Sequence, residues 1–126
     1  MINVLFVIND ESKIGRFKEV FVNDASYRYS FFFDAARAVD YIKENPVDIA
    51  LISVGMEIVN GAEMAEMVFD TFPKCLFVFS YKQDEIHEAI SLFNTYDYSR
   101  IIDFERTEPE NLKDILKEYT DFLSEE

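Results

Sequence analysis

The sequence predicts an α/β domain built on a doubly wound, five-stranded parallel sheet. Short apolar runs alternate with amphipathic helical patterns along the whole chain, and Pro and Gly together number only six. Parallel strands need a crossover connection, usually a helix, and right-handed crossovers cover both faces of the sheet. The length of 126 residues suits one core, so we expect a single domain over residues 1–126.

Five strands and five helices are expected in strict alternation, (βα)₅. The strands are predicted at residues 2–8, 27–33, 48–54, 75–80 and 100–104. The helices are predicted at residues 10–22, 34–44, 62–72, 84–94 and 108–123.

Each element has its own justification. The first strand is a short apolar run and the first helix has apolar residues at helical spacing. The second strand is rich in aromatics, and core packing on both sheet faces is expected to account for the triplet Phe31–Phe33. Asp34 is predicted to cap the second helix, which Pro46 ends. The third strand, DIALISV, is nearly all apolar.

The later elements follow the same logic. Pro73 separates the third helix from an apolar fourth strand. In the fourth helix the inward face is predicted to comprise Ile86, Ala89, Ile90 and Phe93. The fifth strand is the weakest, and Pro109 fits the first turn of the last helix.

Charge and composition exclude several classes of function. A net charge of −13 repels phosphate backbones and anionic lipid, so neither nucleic-acid nor membrane binding is expected. No apolar run reaches the length of a membrane span, and no basic region precedes the first one. A single cysteine, Cys75, indicates a reducing compartment, and we expect a cytoplasmic protein with Cys75 in its core.

The residues at the ends of the strands are the candidate functional ones. Doubly wound sheets bind their ligands at the carboxyl ends of the strands, near the switch in strand order. Those positions hold Asn9, Asp10, Asp34, Ser53, Ser80 and the turn at residues 103–106.

At these positions the chain resembles the receiver domains of response regulators in two-component signalling, which have a flavodoxin-like fold. VLFVINDES is similar to a first strand that ends in two acids, at the positions of Asn9 and Asp10. DIALISVGMEIVNG is similar to D-L-V-L-L-D-x-x-M-P-x-M-D-G, which places Ser53 at the phosphate-accepting aspartate. CLFVFS places Ser80 at the family's switch hydroxyl, and EPENLKDIL resembles the start of the last helix.

The resemblance implies phosphorylation with bound Mg²⁺, and the departures from it argue against that chemistry. Asp10 is the one carboxylate left at a matching position, a weak candidate ligand, so we expect no metal site. A serine hydroxyl is a poor nucleophile without an adjacent base. The lysine implied on the fifth strand falls at or near Glu105. Together these departures indicate a degenerate, or pseudo-receiver, member.

Three functions remain open. The first is a non-enzymatic module that binds proteins independently of phosphorylation and of any cofactor. The resemblance places its partner or homodimer surface on the fourth helix, fifth strand and fifth helix, where Phe93, Tyr96, Tyr98 and Arg100 are candidates. The second is a divergent receiver still phosphorylated with Mg²⁺, in which a displaced acid such as Glu57 takes part. The third is a small-molecule domain, which the acidic, glycine-free loop INDESK disfavours.

Overall fold

The computed structural model describes residues 2–21, 24–56, 59–103 and 105–124. Its strands are β1 (Ile2–Val7), β2 (Tyr27–Phe32), β3 (Ile49–Ser53), β4 (Leu76–Tyr81) and β5 (Arg100–Asp103). Its helices are α1 (Glu11–Phe21), α2 (Ala35–Ile42), α3 (Gly61–Thr71), α4 (Ile86–Thr95) and α5 (Pro109–Ser124). A 3-10 turn at Gln83–Glu85 precedes α4. The predicted order of elements is confirmed, with boundaries shifted by one or two residues.

All five strands are parallel and lie in the order β2-β1-β3-β4-β5. The order reverses at β1, so β2 and β5 form the two edges. The switch point therefore lies between the carboxyl ends of β1 and β3, where Asn9 and Ser53 are found.

Two hydrophobic cores sandwich the sheet. One face packs against α2, α3 and α4 around side chains such as Ile52, Met64 and Phe79. The opposite face packs against α1 and α5 around side chains such as Phe6 and Leu116. The alternation of strand side chains between the faces explains why the predicted strands are apolar throughout.

Cys75 lies in the first of these cores, as predicted. Burial raises the pKa of its thiol, and the negative charge of Asp48 adds to the effect. The thiol therefore stays protonated at neutral pH, which makes it a poor nucleophile.

The caps explain where the helices begin. Asp34 accepts a hydrogen bond from the Ala36 N–H at 2.8 Å, which confirms the predicted cap of α2. Asn60 caps α3 in the same way through the Glu63 N–H at 2.9 Å.

The prediction for the inward face of the fourth helix is partly wrong. Ala89 and Leu92 are buried, whereas Ile90 and Phe93 are exposed. Ala89 and Leu92 belong to the core cluster that contains Phe79, so α4 packs on the sheet along these two residues and leaves Ile90 and Phe93 on its outer side.

The aromatic triplet also departs from expectation. Phe31 and Phe32 pack against opposite cores, as predicted from their alternation. Phe33 follows the end of β2 and is 52% exposed, so core packing does not account for it.

Candidate functional site

Ser53 and Ser80, the two serines predicted at strand ends, lie side by side near the carboxyl ends of the neighbouring strands β3 and β4. Ser53 at the end of β3 pairs in register with Ser80 of β4, and the Val54 N–H donates to the Ser80 carbonyl at 2.9 Å. Both serines are buried, with exposures of 3% and 5%. The acceptor and switch positions that the resemblance implies are therefore adjacent.

The Ser53 hydroxyl has no hydrogen-bond partner within the described parts of the chain. No described carboxylate or imidazole is therefore placed to take its proton. A buried hydroxyl in this setting is a neutral group, and its nucleophilicity is low.

Asn9 connects β1 to the loop after β3. Its amide N–H donates to the Gly55 carbonyl at 3.3 Å. An ionised carboxylate at this position could only accept hydrogen bonds, so an asparagine and an aspartate would make different contacts here.

Asp10 precedes α1, and its carbonyl accepts the Ile14 N–H at 3.2 Å. This places Asp10 at the N-cap of the helix. Of Asn9, Asp10 and Ser53, the positions at which the resemblance implies acids, only Asp10 carries a carboxylate.

The residues present do not fit the magnesium ion that the receiver fold implies. Mg²⁺ favours several oxygen ligands, with carboxylates among them. Ser53 and Asn9 are neutral, and within the described residues no three His, Cys, Asp or Glu side chains are grouped closely enough to hold a metal.

Two further residues at this edge were missed by the sequence analysis. Lys82 follows β4 and lines a cavity of about 450 Å³ together with Asn9, Asp34 and Gly55. The resemblance implies a cation on the fifth strand only. The carboxyl end of β4, however, meets the same end of the sheet, and Lys82 follows it there.

Glu85 is the second missed residue. Its carboxylate accepts a hydrogen bond from the Lys82 N–H at 2.8 Å and lies against Gly55. A β-carbon built on Gly55 would lie 1.6 Å from Glu85 Oε2, so only glycine leaves room for this carboxylate. Lys82 is not one of the residue types that usually begin a capping box, so the sequence pattern does not mark this contact.

Glu105 lies in the turn after β5 and is exposed to solvent. Asp103 accepts hydrogen bonds from the N–H groups of Glu105 and Arg106 at 3.0 and 3.2 Å, and both of those residues are exposed. The assignment of the missing lysine to Glu105 stays a prediction. Phe104 and Glu57 lie outside the described residues.

The four candidate interface residues differ in their surroundings. Phe93 and Tyr98 are 48% and 68% exposed. Arg100 is exposed and forms an ion pair with Glu118 of α5. Tyr96 instead packs on Phe77, with ring centroids 4.8 Å apart, and burial raises the pKa of its hydroxyl.

Tyr98 has a left-handed backbone, with φ at 64°, which is uncommon for a residue other than glycine. The Tyr119 hydroxyl donates to its carbonyl at 2.5 Å and also lies 3.0 Å from the Phe77 carbonyl. This contact holds the loop before β5 against α5, and the Tyr98 ring packs on Phe122 of α5 with ring centroids 4.9 Å apart.

The architecture and the strand-end site define a receiver fold, and known proteins support this. A response regulator receiver domain protein from Methanospirillum hungatei matches with a TM-score of 0.86 and 16% identity, covering 99% of this chain and 98% of that one. A receiver domain from Clostridium thermocellum matches with a TM-score of 0.85 and 10% identity, covering 98% of each chain. The HemR receiver domain from Leptospira biflexa matches with a TM-score of 0.79 and 20% identity over 94% of each chain.

A sequence relative points in the same direction. The response regulator GtcR of Aneurinibacillus migulanus is 24% identical over 92 residues, which is 73% of this chain. The matched segment is 38% of the length of GtcR. No family model matches the chain. The solved structures show that this chain has the fold of receiver domains, and its sequence is similar to that of a response regulator.

None of the described helices has the length and apolar character needed to cross a bilayer.

Proposed function

We propose that this chain is a pseudo-receiver, a receiver-fold signalling module that acts by binding proteins without being phosphorylated. The observation that carries the proposal is the Ser53 hydroxyl, buried at the acceptor position with no described hydrogen-bond partner. A receiver accepts phosphate on a carboxylate, and here the group is neutral and lacks an adjacent base.

The metal chemistry supports the same conclusion. Replacing two of three carboxylates by neutral groups lowers the charge at the site from about −3 to about −1, which weakens attraction for a divalent cation. The Asn9 amide donates to the Gly55 carbonyl and so joins the loop after β1 to the loop after β3, a contact that an ionised carboxylate could not make.

A module without a phosphorylation switch presents its binding surface continuously. The proposed surface is the α4–β5–α5 face, represented by Phe93, Tyr98 and Arg100. Exposed aromatic and arginine side chains are frequent among residues that dominate binding energy. A protein partner or a second copy of the chain would bind here, and a reducing cytoplasmic setting fits the single buried Cys75.

The first experiment tests phosphorylation. The purified chain is incubated with acetyl phosphate and Mg²⁺, and its intact mass is measured beside a receiver that retains its acceptor aspartate. We expect a phosphoryl group on the control protein and none on this chain. A stable phosphoryl adduct on this chain, dependent on Mg²⁺, would contradict the proposal.

The same experiment addresses the divergent receiver. If an adduct forms, the variant Glu57→Gln shows whether that acid is the acceptor, because the amide cannot form an acyl phosphate. Loss of the adduct in this variant would establish the second function in place of the first.

The second experiment tests binding through the α4–β5–α5 face. Self-association and partner capture are measured in EDTA by sedimentation and by pull-down. We expect complexes that survive EDTA and that are lost in Phe93→Ser. The matched control is Met67→Ser, which removes another exposed apolar side chain, on α3. Equal binding by both variants would contradict the assignment of this face.

A further inference from the structure

A groove of about 760 Å³ opens beside β2, at the edge of the sheet opposite β5. Ile14 and Phe31 contribute apolar surface, and Phe33 adds a ring that is 52% exposed. Lys18 of α1 and Arg37 of α2 line it from opposite faces of the sheet. The groove is therefore an apolar surface with a cation on each side.

The two cations are available to a ligand. Lys18 Nζ lies 5.5 Å from the centre of the Phe31 ring, and Arg37 forms no ion pair with any residue that the structure describes. Asp34 also lines the groove, but its Oδ1 is engaged by the Ala36 N–H at the cap of α2.

The part of the chain that supplies this groove, residues 1–43, carries no net charge, although the protein as a whole is acidic. Residues 1–43 contain six Asp or Glu and six Lys or Arg. Residues 44–126 contain 19 acidic and six basic residues and so account for the entire net charge of −13. An acidic ligand is repelled by most of this protein and least repelled at the β2 edge.

The geometry of β2 indicates the shape of that ligand. β2 has a neighbouring strand on one side only, β1, so alternate backbone N–H and C=O groups of its outer side are available for pairing. Successive side chains of an added strand would point to opposite faces of the sheet. Carboxylates at adjacent positions would then reach Lys18 on one face and Arg37 on the other.

We propose that the β2 edge binds an extended acidic segment of another protein, which joins the sheet as a sixth strand and covers Phe33 with an apolar side chain. Strand addition of this kind obtains affinity from the backbone and specificity from alternate side chains. This site lies at the β2 edge and the α4–β5–α5 face lies at the β5 side, so either can fail alone.

A second copy of the chain fits this edge poorly. The one charged side chain of β2 itself is Arg28, so a β2–β2 pair would offer Lys18 and Arg37 no carboxylate from the added strand and would add further positive charge at this edge. Cations at an edge strand can also serve only to prevent aggregation, which predicts no binding of acidic strands. The following experiment distinguishes binding of an acidic strand from self-pairing and from mere protection against aggregation.

The probe is the labelled, acetylated peptide Val-Glu-Glu-Phe-Glu-Val, titrated with the full chain at low salt and followed by fluorescence anisotropy. The control peptide has Gln in place of each Glu. We expect the acidic peptide to bind about tenfold more tightly, with amide chemical-shift changes concentrated in residues 27–37. Equal affinity for the two peptides, or shift changes elsewhere, would overturn the proposal.

Charge-reversal variants complete the test. Lys18→Glu with Arg37→Glu is expected to weaken binding about tenfold or more. The matched control, Lys43→Glu with Lys74→Glu, changes the net charge equally at exposed positions outside the groove and should leave affinity nearly unchanged. All four substitutions are exposed, and circular dichroism confirms folding. Equal weakening by both pairs, or a doubled mass on light scattering, would refute the assignment.

Discussion

Gly61 begins α3 directly beside the end of β3, and replacing it by alanine tests how tightly the site is built. A β-carbon at this position would lie 2.7 Å from the Ser53 carbonyl oxygen and from Val54 Cα, and 2.9 Å from the Val54 carbonyl oxygen. Favourable contacts between carbon atoms lie near 3.5–4.0 Å, roughly an ångström longer. All three atoms belong to the backbone, so no side chain can rotate away.

The expected loss follows from two opposing terms. Alanine favours a helix over glycine by about 1 kcal/mol at an interior position, and by less at the first residue. Overpacking against fixed atoms costs about 1–3 kcal/mol, and the Gly61 N–H···Val54 O bond of 3.0 Å would lengthen as α3 moves away. We expect Gly61→Ala to lower the free energy of unfolding by about 1–2 kcal/mol and the Tm by about 4–8 °C.

Urea unfolding followed by circular dichroism measures the change, with Gly15→Ala as the matched control. Gly15 lies inside α1, and a β-carbon there would meet nothing within 4 Å. This variant should gain about 0.5–1 kcal/mol because alanine restricts the unfolded chain. The reasoning is refuted if Gly61→Ala is as stable as the unmodified chain, or if the two variants shift in the same direction.

Three other predictions concern buried polar groups. Tyr119→Phe should lower the free energy of unfolding by about 1–3 kcal/mol in urea titrations, because two carbonyls, including that of Tyr98, lose their donor. Ser53→Ala should leave that free energy unchanged or raise it by up to about 1 kcal/mol, and a clear loss would reveal a partner for the hydroxyl. Burial raises the pKa of Tyr29 and Tyr119 above the ordinary 10.0, so the folded state holds their protons more firmly than the unfolded state. Stability should therefore be independent of these groups below pH 10 and fall as the pH rises beyond it, which absorbance of the phenolate and thermal melts would follow.

Periodicity was enough to predict most of the fold. Apolar runs of strand length and amphipathic helical patterns depend on local spacing, and local spacing survives in the sequence. The cap at Asp34 was predictable for the same reason, since the capping side chain and the N–H it binds are two residues apart. The burial of Ser53 and Ser80 followed from their places at the ends of apolar strands.

The departures came from contacts between distant segments. The inward face of α4 depends on its packing against the sheet, where Ala89 and Leu92 join the core, so Ile90 and Phe93 are exposed although they have helical spacing. The exposure of Phe33 depends on where β2 ends relative to its neighbours. Lys82 and Glu85 reach the site only because the end of β4 meets the ends of β1 and β3.

The sequence by itself determined the class of fold, the alternation of elements and the neutral chemistry at the strand ends, because each depends on residue type and local spacing. The tertiary structure decided which side chains meet: Asn9 with Gly55, Glu85 with Gly55, and the cations Lys18 and Arg37 on either side of β2. Strand order and the orientation of each helix on the sheet determine these contacts. Both arise from packing of the whole chain rather than from any one segment.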